Sequence, residues 1–240
     1  VKRIGLDTYR IQNRGGKGIK GMQTREEDVV TKLFLSSNHS YLLYFTDMGR
    51  VYRTKTYNIP EAGRTAKGTP VVNIIEKSPE EKISEIIPVK EFSDNEYLVM
   101  VTKNGIIKKT PASEYESIRK SGKIAITLKE GDELISIFKT TGNDNIFLAT
   151  RNGMAICFNE NDARAVGRTA SGVKAIDLAD GDYVVGAEPV REDSKVLLVT
   201  DGGYGKCTDL TSFRIQHRGG KGLKAYKITE KTGNIIGISM

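Results

Sequence analysis

Apolar and polar positions along the chain alternate in short runs of about six residues, and no stretch keeps a helical period. Four runs share one plan: "YLLYFTDMGRVYRT" (41–54), "YLVMVTKNGIIKKT" (97–110), "NIFLATRNGMAICF" (145–158) and "KVLLVTDGGYGKCT" (195–208). In each, a β-prone apolar run ends in Thr, two turn residues and a Gly follow, and a second strand-like run begins. Asn-Gly or Gly-Gly between such runs predicts a β-hairpin. A further strand is predicted in each unit from "DVVTKLFLSS", "EKISEIIPVK", "DELISIFKTT", "DYVVGAEPVR" and "GNIIGISM". Helix is confined to single turns near "TPASEY" and "TDLTSF".

The pattern repeats. The hairpin threonines Thr46, Thr102, Thr150 and Thr200 recur every 56, 48 and 50 residues. A second element follows at fixed distance: "GRTAKG" (63–68), "IRKSGK" (118–123), "GRTASG" (167–172) and "HRGGKG" (217–222), with 18, 17, 18 and 18 residues from the hairpin Thr to the Arg. An earlier copy, "NRGGKG" (13–18), places Arg14 50 residues before Arg64. The heptapeptides "QNRGGKG" (12–18) and "QHRGGKG" (216–222) agree at six of seven positions. Repeated strand units with a period near 50 residues imply radial repetition, because a small sheet buries its faces only against its neighbours. The expected fold is all-β: a single propeller-like domain over 1–240, of about five to six four-stranded blades, with both ends falling mid-repeat, as in a piece of something larger. Its core is expected around Leu43, Phe45, Leu98, Val99, Val101, Ile146, Phe147, Leu148, Leu197 and Val199.

Composition narrows the function. The 240 residues carry a formal net charge of +7, which favours anionic partners. The charge is concentrated: residues 1–25 hold Lys2, Arg3, Arg10, Arg14, Lys17, Lys20 and Arg25 against Asp7, and residues 214–227 hold five basic residues and no acid. No apolar run is long enough for a membrane span, and the first residues lack the apolar core of a signal peptide. The two cysteines, Cys157 and Cys207, have neither the number nor the spacing of a metal or disulfide framework and are expected to be buried free thiols in a reducing, cytoplasmic setting.

The glycines of "RGGKG" free the backbone for positive φ, the exposed N–H groups of such a turn form an anion-binding concavity, and Arg and Lys bracket it. This is chemistry for phosphate contact with little base specificity. The loops do not match G-x-x-x-x-G-K-[ST] and precede no helix, so nucleotide hydrolysis is not expected on this chain. No Ser/His/Asp set, H-E-x-x-H motif or acid cluster with a basic partner is present. His217 lies inside a loop of this kind, Tyr52 and Tyr204 are expected to pack, and Lys103, Lys108 and Lys109 are expected at a solvated basic hairpin tip.

"QNRGGKG" resembles the gyrase A box, the hallmark of the C-terminal DNA-wrapping domain of the DNA gyrase A polypeptide. "VKRIGLDTYRIQNRGGKG", "GRTAKGTPVVNI", "GRTASGVKAI" and "GYGKCT" are similar to that domain, so the resemblance spans the chain. It implies a β-pinwheel, in which blades exchange strands, with duplex DNA wrapped around the outer edge. It implies a box at Gln12, Arg14, Gly15, Gly16, Lys17 and Gly18, with Arg14 and Lys17 on phosphates. Equivalent DNA-binding positions are Arg64 and Lys67; Arg119, Lys120 and Lys123 in the degenerate copy; Arg168 and Lys174; and Gln216, Arg218 and Lys221. Asn13 stands where the family has a second Arg, and "GRTASG" lacks the Lys. The resemblance further implies a bacterial, cytoplasmic, nucleoid-associated setting. Its implied partners are duplex DNA, the remainder of the gyrase A polypeptide and the gyrase B polypeptide, with no membrane. No cofactor is expected on this chain; ATP and Mg2+ belong elsewhere in the holoenzyme. Two other readings stay open: the corresponding C-terminal domain of topoisomerase IV, and a propeller scaffold for protein partners.

Overall fold

A computed structural model describes residues 1–25 and 28–240. Its strands are β1 (Tyr41–Thr46), β2 (Arg50–Lys55), β3 (Ile83–Val89), β4 (Tyr97–Thr102), β5 (Ile106–Pro111), β6 (Lys123–Ile124), β7 (Leu134–Thr140), β8 (Asn145–Thr150), β9 (Met154–Asn159), β10 (Val173–Lys174), β11 (Val184–Pro189), β12 (Lys195–Thr200), β13 (Gly205–Asp209), β14 (Leu223–Lys224) and β15 (Ile235–Ser239). Single 3-10 turns, including Ala112–Tyr115 and Leu210–Ser212, supply the helix where the sequence placed it.

The four expected hairpins form as β1–β2, β4–β5, β8–β9 and β12–β13. Each hairpin threonine is buried, and its hydroxyl accepts the amide N–H four residues on: Arg50, Ile106, Met154 and Tyr204, at 3.3, 3.2, 3.2 and 3.2 Å. A short polar side chain that satisfies the turn from inside explains why Thr, rather than Val, ends each apolar run.

The strands assemble into sheets of order β3-β1-β2-β6, β7-β4-β5-β10, β11-β8-β9-β14 and β15-β12-β13. The fourth strand of each four-stranded sheet is borrowed. β6, β10 and β14 each follow the glycine/basic loop of one unit yet pair with β2, β5 and β9 of the unit before. The amides of Ala125, Ala175 and Ala225, just past these strands, donate to the carbonyls of the hairpin glycines Gly49, Gly105 and Gly153 at 2.7, 2.7 and 2.8 Å. Strand exchange of this kind is the pinwheel arrangement.

Between consecutive sheets lie three apolar layers. Leu43 and Phe45 face Leu98 and Met100, Val99 and Val101 face Ile146 and Leu148, and Phe147 and Ala149 face Val196 and Leu198. The central strands β4 and β8 are covered on both faces, which is why they read as continuous apolar runs rather than alternating ones. Two expected core residues depart from this. Leu197 is 40 % exposed and Val199 only half-buried, because the outward face of the last sheet has no further sheet against it.

The described residues hold four sheets, three of them four-stranded, against an expectation of about five to six four-stranded blades. Among its described residues the unit at 1–37 forms no sheet and is bridged to the next unit at Arg3–Glu61. "DVVTKLFLSS", expected to be a strand, forms no strand among its described residues, and Val29, Val30, Leu33 and Leu35 are exposed. Its counterparts β3, β7, β11 and β15 each pair with the first strand of a hairpin, and the described residues of this unit include no such strand to carry the ladder.

Candidate nucleic-acid interface

The inner strands β3, β7, β11 and β15 touch one another in succession, so the opposite side of each sheet, where the borrowed strand lies, is the outer edge. Each borrowed strand is the exit of a glycine/basic loop, and the sheet order therefore places the loops 118–123, 167–172 and 216–222 on that edge.

Two loop geometries occur outside the degenerate 118–123, where the Gly122 amide donates to the Arg119 carbonyl at 3.0 Å. In 12–18 the Gly16 amide donates to the Asn13 carbonyl at 3.0 Å, and Gly15 in the turn has φ +85°. Gly219 is its counterpart in 216–222, with φ +82°. In 63–68 and 167–172 the same turn closes from Ala66 to Gly63 at 2.9 Å and from Ala170 to Gly167 at 3.1 Å. There the middle residue is Thr65 or Thr169, neither of which has positive φ. The last box glycine has a packing role. A Cβ on Gly222 or Gly172 would fall well under 3.0 Å from the carbonyl oxygen of Ala155 or Ile107, where the loop crosses onto the preceding sheet.

The later loops are joined into a continuous ribbon. The Arg168 guanidinium donates to the Ile124 carbonyl, and Thr127 Oγ1 donates to the Thr169 carbonyl at 2.7 Å. Arg218 repeats the move, from Nη1 to the Lys174 carbonyl at 2.9 Å and from Nε to the Asp162 carbonyl at 2.8 Å. Gly219 donates to Ala175 at 2.6 Å, and Asp177 donates to Gly220 at 2.9 Å. At the other end, Arg64 shares an open cleft of about 590 Å³ with Arg10, Gln12 and Gly18. The Gln12 side-chain carbonyl accepts the Gly18 amide at 3.0 Å and closes the first box on itself.

Of the residues predicted to bind DNA, Gln12, Arg14, Gly15, Gly16, Lys17, Gly18, Arg64, Lys67, Arg119, Lys120, Lys174 and Lys221 are exposed, while Lys123, Arg168, Gln216 and Arg218 are half-buried. Part of the charge is offset locally. Lys174 pairs with Asp177 at 2.9 Å, and that hydrogen bond and charge hold the Asp177 carboxyl below its usual range. Asp162 accepts the Arg218 amide at 3.2 Å and lies 3.3 Å from His217.

Three expectations about neighbouring residues are corrected. Lys108 and Lys109 are not a solvated tip: they are 1 % and 4 % exposed. Lys109 pairs with the buried Glu160 at 2.9 Å, and Lys108 donates to the carbonyls of Ala125 and Arg168. Burial, reinforced by the Arg168 charge, lowers the Lys108 ammonium to about 7. Cys157 is buried, with its thiol pushed up to about 11 by burial, but Cys207 is exposed because β13 carries no borrowed strand. Tyr52 packs as expected, whereas Tyr204 is 38 % exposed on that same last sheet. Sequence reasoning also missed Arg50, which donates to the Ser121 carbonyl at 2.8 Å and ties down the degenerate loop. Its place directly after the hairpin glycine was the available signal.

The model of the DNA gyrase C-terminal domain, described as a β-propeller, matches residues 1–37, 40–90, 96–141, 144–191 and 194–240. The chain belongs to the DNA gyrase C-terminal domain family. The five matched segments have the boundaries of the five repeat units, so the family's repeat is the one read from the hairpin threonines. Curated relatives include the DNA gyrase A polypeptide of Clostridium acetobutylicum, 53 % identical over the whole chain and 29 % of that protein. The DNA gyrase A polypeptide of Halalkalibacterium halodurans is 50 % identical over 72 % of the chain and 21 % of that protein. The chain thus spans less than a third of the relatives it matches. Among solved structures, a DNA gyrase A C-terminal domain superposes with TM-score 0.77 at 26 % identity, over 98 % of this chain and 76 % of that one. The C-terminal domain of a DNA topoisomerase IV gives TM-score 0.78 at 31 % identity, over 84 % of this chain and 64 % of that one.

Among the described residues no group of three or more His, Cys, Asp or Glu side chains could hold a metal ion, and no helix is long and apolar enough to cross a membrane.

Proposed function

We propose that this chain binds, bends and wraps duplex DNA around its outer edge as the C-terminal part of a bacterial, cytoplasmic DNA gyrase A polypeptide. One observation carries the reading: cationic loops recur along the chain, and the later ones, 118–123, 167–172 and 216–222, lie on one edge, where 167–172 and 216–222 are each hydrogen-bonded to the segment at the exit of the loop before. A polymer with evenly spaced negative charge can follow such an edge without its sequence being read. Bending tens of base pairs costs several kcal/mol, which phosphate contacts offset. Five loops neutralising about two phosphates each give a salt dependence of binding with a slope of roughly −9. In the holoenzyme, with the remainder of gyrase A and with gyrase B, a wrap of fixed hand would feed one DNA segment to the cleavage gate. ATP and Mg2+, acting in those other parts, would then drive negative supercoiling.

Minicircle ligation in the presence of the chain tests this, scored for the sign of trapped writhe. Trapped writhe of one sign is expected; relaxed products indistinguishable from protein-free controls would overturn the reading. The structural likeness to a topoisomerase IV C-terminal domain supports a second reading, in which DNA is bound and bent without strong directional wrap. The intact heptapeptide at 12–18 and the gyrase relatives at about half identity favour the first. A protein-scaffolding propeller would give no mobility shift with non-specific duplex at low salt.

A further inference from the structure

One position of the repeat lies directly beneath the loops 63–68, 167–172 and 216–222, and its side chain sorts with the loop above it. Lys2 underlies 63–68, and Lys108 underlies 167–172; these are the two Arg-Thr-Ala loops. Under the Gly-Gly loop 216–222 the position is Ile156, which meets Gly220 and Gly222. Lys2 Nζ donates to the carbonyls of Arg64, Ala66 and Gly21 at 2.8, 3.1 and 3.0 Å, which uses all three ammonium hydrogens. Lys108 Nζ donates to the carbonyls of Arg168 and Ala125.

A trans peptide points its C=O and N–H to opposite sides. With the Arg64, Ala66 and Arg168 carbonyls drawn inward, the amide N–H groups of Thr65, Lys67 and Thr169 point outward, and among the described residues none of the three has a backbone acceptor. In 216–222 the corresponding peptide is turned over. Gly219, at φ +82°, donates its N–H inward to Ala175, so the Arg218 carbonyl faces out. A reversal of the central peptide is what separates a turn with positive φ at its third residue from one without.

We propose that Lys2 and Lys108 are positioning residues for anion binding: they hold the Arg64–Thr65 and Arg168–Thr169 peptides so that backbone N–H groups, and not carbonyls, face the DNA backbone. The proposal rests on the DNA-binding reading above. It accounts for how "GRTASG", which lacks the box Lys, still offers phosphate a donor set, since outward amides form an anion concavity without a side-chain charge. It also gives Lys108 a role in either protonation state, because even a neutral amine keeps two N–H donors for the Ala125 and Arg168 carbonyls.

The test is amide-resolved NMR of the 15N-labelled 240-residue chain, titrated first with inorganic phosphate and then with a short non-specific duplex. In the wild type, the Thr65, Lys67 and Thr169 amides shift with both ligands and Gly219 does not. In Lys108→Met the Thr169 response weakens about tenfold, the weight of one hydrogen bond to a charged group. Thr65 responds as before, and Lys108→Arg restores Thr169. If Lys108→Met fails to fold, Lys2→Met, at a half-buried site, is read at Thr65 and Lys67 with Thr169 as the internal control. An unchanged Thr169 response in a folded Lys108→Met chain, or a Gly219 response equal to that of Thr169, overturns the proposal. If Gly15 to Gly18 respond to duplex while Thr65 and Thr169 stay silent, the positioning role alone falls. If no loop responds to duplex, the DNA-binding reading falls with it.

Discussion

The heptapeptides at 12–18 and 216–222 differ by one residue, yet they sit in different surroundings. In the second, Arg218 is held by the Asp162 and Lys174 carbonyls, and a Cβ on Gly222 would collide with Ala155 of the preceding sheet. In the first, Arg14 is exposed and, among the described residues, its guanidinium has no hydrogen-bond or ion-pair partner. Nothing lies within 4 Å of a Cβ on Gly18. The same letters therefore serve two ends. At 216–222 much of the box's hydrogen-bonding capacity goes into joining sheets, and at 12–18 it remains open to solvent. Donors already matched by carbonyls have less to gain from a phosphate than donors that are not.

The largest contrast should come from replacing whole boxes. Arg14, Gly15, Gly16 and Lys17 changed together to Ala are expected to abolish wrapping in minicircle ligation while the melting temperature falls only slightly, by the cost of Ala at the positive φ of Gly15. In the full-length polypeptide, the same change should end supercoiling but leave ATP-dependent relaxation. The matching change at 218–221 should lower the melting temperature first; equal melting temperatures for the two variants would erase the contrast.

Single glycines sharpen it. Gly222→Ala combines positive φ with a backbone clash and should cost about 3 kcal/mol or more in urea denaturation. Gly18→Ala, at φ +73° in open space, should cost about 1 kcal/mol. A Gly18→Ala cost as large as that of Gly222→Ala would mean that the first box is packed too.

Between these boxes lies the buried lysine under 167–172. The Lys108 ammonium falls from 10.5 unfolded to about 7 folded, so between those values the unfolded chain binds the extra proton. Stability should therefore rise with pH across that window, by at most a few kcal/mol, and the gain is lost as pH falls toward 7. Lys108→Met should flatten this slope; a slope identical to that of the parent chain would assign it to other groups.

The box arginines differ in the same sense, and the smallest effect belongs to Arg14. Arg218→Ala should lower stability by about 1–2 kcal/mol, since it strips donors from the Asp162 and Lys174 carbonyls. Arg14→Ala should leave stability within about 0.5 kcal/mol and reduce the salt slope of DNA binding by about 1. Salt titrations of both variants against the parent chain check the pair.

Much of this was legible in the residues. Thr46, Thr102, Thr150 and Thr200 marked the hairpins, and their period marked the radial repeat, because turn chemistry and strand alternation are local. Lys108 and Lys109 were misread as a solvated tip because a run of two lysines in a strand carries no sign of the carbonyls and the Glu160 carboxylate that meet it. Those partners arrive from residues 125, 160 and 168, and only the exchange of strands between units brings them there. Leu197, Val199 and Cys207 were misplaced for a related reason. Each sits at a repeat position that is buried elsewhere, but burial is conferred by a neighbouring sheet or a borrowed strand, and among the described residues the last sheet has no borrowed strand and no sheet against its outward face.

By itself, the sequence determined what is local: where hairpins turn, where glycine permits a left-handed turn, how often the unit recurs, and where positive charge collects. The tertiary structure decided which arginines are held by carbonyls and which lie open, which lysines are buried, and which way each loop turns its peptides. Those outcomes depend on the neighbour against which a residue is packed, and in this fold the neighbour lies some fifty residues away along the chain.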